Sequence, residues 1–368
     1  MKNARLATCA IAHFLMDFAT VAYLYAVIAP NLWSGFMPAV EGWSPYVYGA
    51  AITAALVLTY DMLAFALQPF IGVWVDKKNV AAPLLYGSLA AVAVCNMLAA
   101  AFDFTNVFGI AVAGLILVSL SNAAFHVSAG AFVIADAKKS APLGVFVGTG
   151  AMGVALGKLL PSGLFFIGAG CLVCCIVLAL IRVSGRTVRP YYEQLKTLSV
   201  RTEADILPIA LICAGVFLRG FCGTAAVAEF ETTRLTLVMV AFYAACGKML
   251  GGFLSDVAGV KTAVSACLPL GALLMCFGAG NAALYSMGVM LFNTTMPVTL
   301  FMSICALPRY RNAAFGILAA LLMVGSVFAM GGGISKYLSL ALALCSGVAI
   351  VFADIKMKNK NLFAEKGI

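Results

Sequence analysis

Charge is what this chain has least of: 10% of its 368 residues are Asp, Glu, Lys or Arg, against 64% hydrophobic. A water-soluble domain carries about 25% charged residues, so a soluble globular fold is excluded. No sizeable polar domain is present, because the one hydrophilic stretch of any length covers residues 182–205. Chemical signatures are missing too. The sequence contains no nucleotide-binding loop, no H-E-x-x-H and no G-x-S-x-G, so ATP-driven work and the commoner hydrolytic chemistries lack their machinery. No enzyme activity, no cofactor and no metal site are expected. Cysteine is plentiful at twelve residues, but most lie inside apolar runs, as Cys171, Cys174 and Cys175 do. They read as small buried apolar side chains, not as a disulfide or zinc framework.

What remains is apolar sequence in membrane-length pieces. Mean hydropathy is +1.06, and a spanning helix needs about 20 apolar residues. Runs bounded by charge or turn residues predict twelve spans, near 6–30, 46–75, 80–101, 107–135, 143–161, 163–181, 206–229, 234–255, 262–279, 282–306, 313–333 and 337–354. An all-α integral membrane protein follows, with six-helix halves at 1–181 and 206–355, a linker at 182–205 and a tail at 356–368. The first run is too long, and carries Asp17 too deep, for a cleaved signal peptide.

A net charge of +9 would suggest a nucleic-acid partner in a soluble protein. Here the cations collect in alternate loops instead. They fall at Lys2 and Arg5, Lys77 and Lys78, Lys138 and Lys139, between Arg182 and Arg201, at Lys261, at Arg309 and Arg311, and from Lys356 onward. The intervening loops hold only Arg234 and Lys336. This alternation predicts that both termini are cytoplasmic in an inner or plasma membrane, with Glu41 and Ala282 outside and Lys78 and Lys139 inside. No nucleic acid is expected as a partner, the surrounding lipid bilayer is, and the chain is expected to be monomeric.

Two loops share one figure. QPFIGVWVDKKN ends an apolar run with Gly72, Asp76 and Lys77, and GGFLSDVAGVK repeats the pattern with Gly252, Asp256 and Lys261. The halves echo each other again where KKSAPLGV and RNAAFGI place Gly144 and Gly316 ahead of spans 5 and 11. These paired loops resemble the cytoplasmic loops between helices 2 and 3, and 8 and 9, of the major facilitator superfamily. The resemblance implies two pseudo-symmetric six-helix bundles and a secondary transporter working by alternating access. It also implies that Gly72, Asp76, Lys77, Gly252, Asp256 and Lys261 form gates that latch the cytoplasmic side. Internal duplication of this kind puts a solute site near the midplane between the repeats. Gly144, Gly148, Gly150, Gly153 and Gly157 give span 5 a small-residue stripe for close helix packing.

Ionisable residues inside the bilayer are costly and mark partners or aqueous cavities. They are His13 and Asp17 on span 1, Asp61 on span 2, His126 on span 4, Lys158 on span 5, Arg219 on span 7 and Lys248 on span 8. Spans 3, 6, 9 and 12 have no such residue in their interiors. In the family these four face lipid, while spans 1, 4, 7 and 10 line the cavity. A rise of about 1.5 Å per residue puts Asp17, His126 and Arg219 near the middle of a core about 30 Å thick.

Arg219 is suited to a carboxylate or phosphate through two parallel hydrogen bonds; the competing reading is an internal pair with Asp17 or Asp61. Lys158, Lys248, His126 and Asn293 complete the candidate solute contacts, and Asp17 and Asp61 are the candidate proton carriers. His13 and His126 also admit a plain packing role. The cations outnumber the carboxylates, so an anionic or zwitterionic solute is favoured. Proton-coupled efflux is the first reading, proton-coupled uptake of a metabolite the second, and a non-transporting membrane sensor the third. A narrower stretch, SNAAFHVSAGAF followed by GVFVGTGAMGVALGKLLP, resembles spans 4 and 5 of the fosmidomycin-resistance branch. Val127 and Lys158 stand where that branch has proline.

Overall fold

The computed structural model describes residues 2–29, 45–102, 104, 107–181, 206–330 and 334–359. The expected linker at 182–205, Glu41 and the end of the tail lie outside these residues. Within them the chain is all helical, and twelve helices are long and apolar enough to cross a membrane. They are α1 (Asn3–Ile28), α2 (Ala54–Lys77), α3 (Ala81–Phe102), α4 (Phe108–Asp136), α5 (Ala141–Leu159) and α6 (Pro161–Leu180). The second set is α7 (Ile206–Ala225), α8 (Arg234–Ala258), α9 (Val260–Phe277), α10 (Ala282–Ala306), α11 (Arg311–Met330) and α12 (Lys336–Asn359). Helices are the form such sequence must take, since backbone N–H and C=O groups find no water in hydrocarbon and must bond within the segment.

Local chemistry marks the ends and breaks. Thr233 caps α8 by accepting from Thr236 N at 3.2 Å, and Asn281 caps α10 by accepting from Ala283 N and Leu284 N. Gly259 turns the chain from α8 into α9 at φ 83, a backbone region that glycine enters without strain. The tenth run is not one smooth helix. It breaks at Thr294, between Asn293 and Thr295. Pro297 has no N–H to give the carbonyl of Asn293 and its ring crowds that carbonyl, so the ladder opens there. Met62–Ala66 in α2 and Leu24–Ile28 in α1 are π-helical.

One expectation about the outer helices needs correcting. α12 continues past 354 to Asn359, so Asp354 lies inside it, buried and paired with Lys358 at 2.8 Å one turn on. The helix outruns its apolar stretch because this i,i+4 pair supports its last turn.

The twelve helices form two bundles with matching contacts. α1 packs on α5 as α7 packs on α11, and α3 packs on α6 as α9 packs on α12. Glycine sets the first of these pairings. Gly153 lies against the Phe14 carbonyl and Phe18 N, and Gly325 lies against the Phe217 carbonyl and Phe221 N in the same register. The bundles meet through α2 with α11 and α5 with α8. The small residues of α5 therefore serve two faces: Gly144 and Gly148 lie on α8, while Gly150, Gly153 and Gly157 lie on α1. Windows of α1 and α10 are 67% and 78% buried against 22% for α2 and α8, so α1 and α10 form the centre.

Candidate functional site

Three polar features stand out among the described residues. The first is a pair of latches at one end. Asp76, at the end of α2, accepts hydrogen bonds from Asn312 N at 3.1 Å, Asn312 Nδ2 at 2.8 Å and Ala313 N at 2.9 Å. Asp256, at the end of α8, accepts from Ser140 N at 2.9 Å, Ser140 Oγ at 2.7 Å and Ala141 N at 2.9 Å. Each carboxylate thus satisfies amides that the first turn of α11 or α5 leaves without partners, at the positive end of that helix. Gly72 and Gly252 sit one turn earlier on the same faces. A Cβ at Gly252 would lie 2.8 Å from Ala141 Cα, so only glycine lets the helices approach closely enough for the aspartate to reach. Lys77 and Lys261, expected among the gate residues, are exposed and bond to no described residue. Backbone amides of the opposite bundle, not these lysines, hold the carboxylates.

The second feature is a chamber of ≈ 270 Å³ whose lining includes Arg219, Lys248, Asn293, Tyr285, Met296 and Ser326. Arg219, on α7, is 5% exposed and donates from Nη1 to Thr295 Oγ1 at 3.1 Å. Neither Arg219 nor Lys248 makes an ion pair with a described carboxylate; the pairing of Arg219 with Asp17 or Asp61 is not formed. Val240 and Tyr285 are shared with a second cavity of ≈ 280 Å³ that includes Lys158, Phe230 and Thr236. Lys158 lies at the far end of α5 from the latched Ser140 and Ala141, so the path runs away from the latches. Toward the latches, Arg219 borders a ≈ 40 Å³ space lined by Val147, Phe315 and Leu318. Thr295 was not anticipated as a site residue. Its signal in the sequence is Pro297, which loosens the helix where Arg219 docks.

The third feature is a buried cluster in the first bundle. His13 and Asp17, one turn apart on α1, meet His126 from α4, and all three are under a tenth exposed. His13 Nε2 lies 2.8 Å from His126 Nε2, 3.3 Å from Asp17 Oδ2, and His126 Nε2 lies 3.5 Å from Asp17 Oδ1. Asn122 donates to Asp17 Oδ1 at 3.1 Å and to Thr20 Oγ1 at 3.2 Å. His126, expected as a solute contact, lines neither cavity. It is engaged instead with His13 and the Asn122 carbonyl. Asp61 is separate from this cluster: it is half-buried, just ahead of the π-helical turn of α2, and the charge acting on it is Lys158.

The arrangement places Arg219 and Lys248 on one cavity and closes one end of the bundle interface through Asp76 and Asp256. No protein-family profile and no curated protein sequence matches this chain. Solved structures do. A major facilitator superfamily transporter, FucP in its outward conformation, aligns at TM-score 0.64 with 13% identity, covering 94% of this chain and 97% of that one. The fucose:proton symporter FucP of E. coli aligns at 0.62 with 13% identity, covering 95% and 98%. The human organic anion transporter MFSD10 aligns at 0.61 with 14% identity, covering 98% of each. The fold is that of major facilitator superfamily transporters, and twelve apolar helices in this fold make an integral multi-pass membrane protein. The fosmidomycin-resistance branch is not among these matches.

Proposed function

We propose that the chain is a secondary active transporter that moves a small organic anion or zwitterion across the membrane by alternating access. Arg219 and Lys248 carry this reading. They line one chamber within the second bundle and neither forms an ion pair with a described carboxylate, and a permanent cation at this depth requires an anionic partner. An exchangeable solute group meets that need where a fixed internal salt bridge would block exchange. Arg219 supplies the two-pronged geometry, and Lys248 and Asn293 add a point charge and an amide. Lys158 sits in the adjoining cavity, where it meets an arriving anion first.

The latches supply the alternation. With Asp76 and Asp256 bound to the opposite bundle, one end is shut, and releasing them lets the bundles rock open there. Protons drive the cycle at Asp61, which no described residue ties down by hydrogen bond or ion pair. FucP and MFSD10 show that this fold accommodates a proton symporter and an organic anion transporter. Alternating access is reversible, so coupling stoichiometry and gradient, not the chamber, separate export from uptake.

A thermal-shift screen of the purified chain against metabolites and drugs identifies a ligand, because a ligand stabilises the state it binds. Arg219→Lys then tests the site. Losing the fork while keeping the charge weakens that ligand at least tenfold, about 1.4 kcal/mol. Unchanged affinity in both Arg219→Lys and Lys248→Met, with the variants folded, overturns the assignment.

A further inference from the structure

The histidine cluster has an electronic problem that a proton or a metal ion must solve. His13 Nδ1 lies 2.7 Å from the Phe146 carbonyl oxygen, and His126 Nδ1 lies 2.9 Å from the Asn122 carbonyl oxygen. A carbonyl oxygen only accepts, so both Nδ1 atoms carry hydrogen. A neutral imidazole has one N–H, which leaves both Nε2 atoms with bare lone pairs. Those lone pairs face each other across 2.8 Å, and the Asp17 carboxylate adds a third electron-rich group at the same point. Nothing but a cation between them makes this arrangement stable.

We propose that His13, His126 and Asp17 bind a divalent transition-metal ion of the zinc or cobalt type. Four observations favour a metal over a shared proton. The three donor atoms lie within 4.8 Å of one another, the one such group among the described residues. Their chemistry, two imidazoles and a carboxylate, is that of open zinc sites with a position left for water or a ligand. Both rings are fixed through Nδ1 by main-chain carbonyls, the outer-shell bond that metal-binding histidines characteristically make, whereas a shared proton needs no third ligand. Finally, Gly150 of α5 keeps space beside the donors. A Cβ there would lie 2.6 Å from His13 Nε2 and would overlap Asp17 Oδ2.

Zinc–nitrogen bonds of about 2.0–2.1 Å in tetrahedral geometry set two nitrogens about 3.4 Å apart, so the rings part by roughly half an ångström on binding. Asn122 keeps Asp17 in place through Oδ1 and has its own Oδ1 buried without a hydrogen-bond partner. That spare acceptor suits a metal-bound water. Lys248, the cation that acts on this cluster from the other bundle, opposes a dication and holds affinity down.

The inference does not depend on the solute reading, since neither histidine lines the chamber. Full-length protein, stripped with EDTA in detergent, is titrated with Co²⁺ and followed by its visible ligand-field absorption. One equivalent binds, Zn²⁺ displaces it, and His13→Gln and His126→Gln each weaken binding at least tenfold. Cys345→Ala, which removes an exposed thiol outside the cluster, leaves the titration unchanged. His126→Cys keeps the site while adding a near-ultraviolet sulfur-to-cobalt band, a gain that guards against variants that merely misfold. No saturable Co²⁺ binding by the unmodified chain, or spectra identical in the unmodified chain and the His126→Cys variant, overturns the proposal and leaves a shared proton as the occupant.

Discussion

Asp17 and Asp61 look alike in the sequence, each a carboxylate within an apolar run and set apart only by the histidine one turn before Asp17, yet they stand in opposite surroundings. Asp17 is held by two histidines and Asn122, while Asp61 bonds to no described residue. A carrier must pick up and drop its proton once per cycle, and a carboxylate free of fixed partners does so without dismantling a network. Asp61→Asn is therefore expected to keep solute-for-solute exchange in proteoliposomes and to lose accumulation driven by a pH gradient. Accumulation at the unmodified level moves the proton elsewhere. The sequence exposes such residues well, because a charge in hydrocarbon stands out by composition alone. Arg219 and Lys248 were legible for that reason. Their surroundings were not: Thr295 is an ordinary helix residue, and His126 meets His13 across 113 positions of chain. Only the one-turn spacing of His13 and Asp17 hinted at a shared face.

At the scale of helices, the four-residue spacing of Gly72 to Asp76 and of Gly252 to Asp256 was visible, since it puts both residues on one face. What the aspartates hold was invisible. Their partners are backbone amides of Asn312, Ala313, Ser140 and Ala141, and an amide has no side-chain signature. A helix start must be located in space before its spare N–H groups count as a site. As proposed gates the two latches are expected to act in parallel, so that removing one loosens the closed end and removing both opens it. With spin labels at the exposed ends Lys78 and Lys261, one on each bundle, Asp76→Asn is expected to add a longer-distance population. Asp76→Asn combined with Asp256→Asn makes that population dominant. An asparagine keeps one acceptor oxygen but sets an NH2 where the other stood, so each change removes the carboxylate charge and turns a donor toward one buried N–H that it had satisfied. Ligand affinity stays within a few-fold, because the chamber lies away from the latches. A distance distribution that does not move in the double variant rules the latches out as the closing device.

Across the whole molecule, the two bundles repeat the same contacts but not the same chemistry. Where α1 carries Asp17 against Gly150 of α5, α7 carries Gly220 against Leu322 of α11: side chain and glycine have exchanged helices. The polar cluster accordingly belongs to one bundle and Arg219 to the other, so rocking the bundles changes the distance between them. Duplication itself was legible from the paired loops and from Gly144 and Gly316. The exchange was not, as it depends on which helix face each glycine presents. Which end of this machine faces the cytoplasm decides where the chamber opens. The latched end gathers Lys77, Lys78, Lys138, Lys139, Lys261, Arg309 and Arg311, while the opposite end has Lys158 at the end of α5, Arg234 and a Lys336 already paired with Glu229 at 2.7 Å. By the positive-inside rule the latched end is expected to be cytoplasmic, with the path past Lys158 opening outward. Of the twelve cysteines Cys345 is exposed and Cys175, Cys213 and Cys246 are partly so, so an otherwise cysteine-free variant suits single-cysteine labelling. In intact cells a cysteine at Ala282 is expected to react with an impermeant thiol reagent, and cysteines at Lys78 and Lys139 to react only after permeabilisation. The reverse pattern inverts the protein, makes the latches an outer gate, and has Arg219 loaded from the cytoplasm.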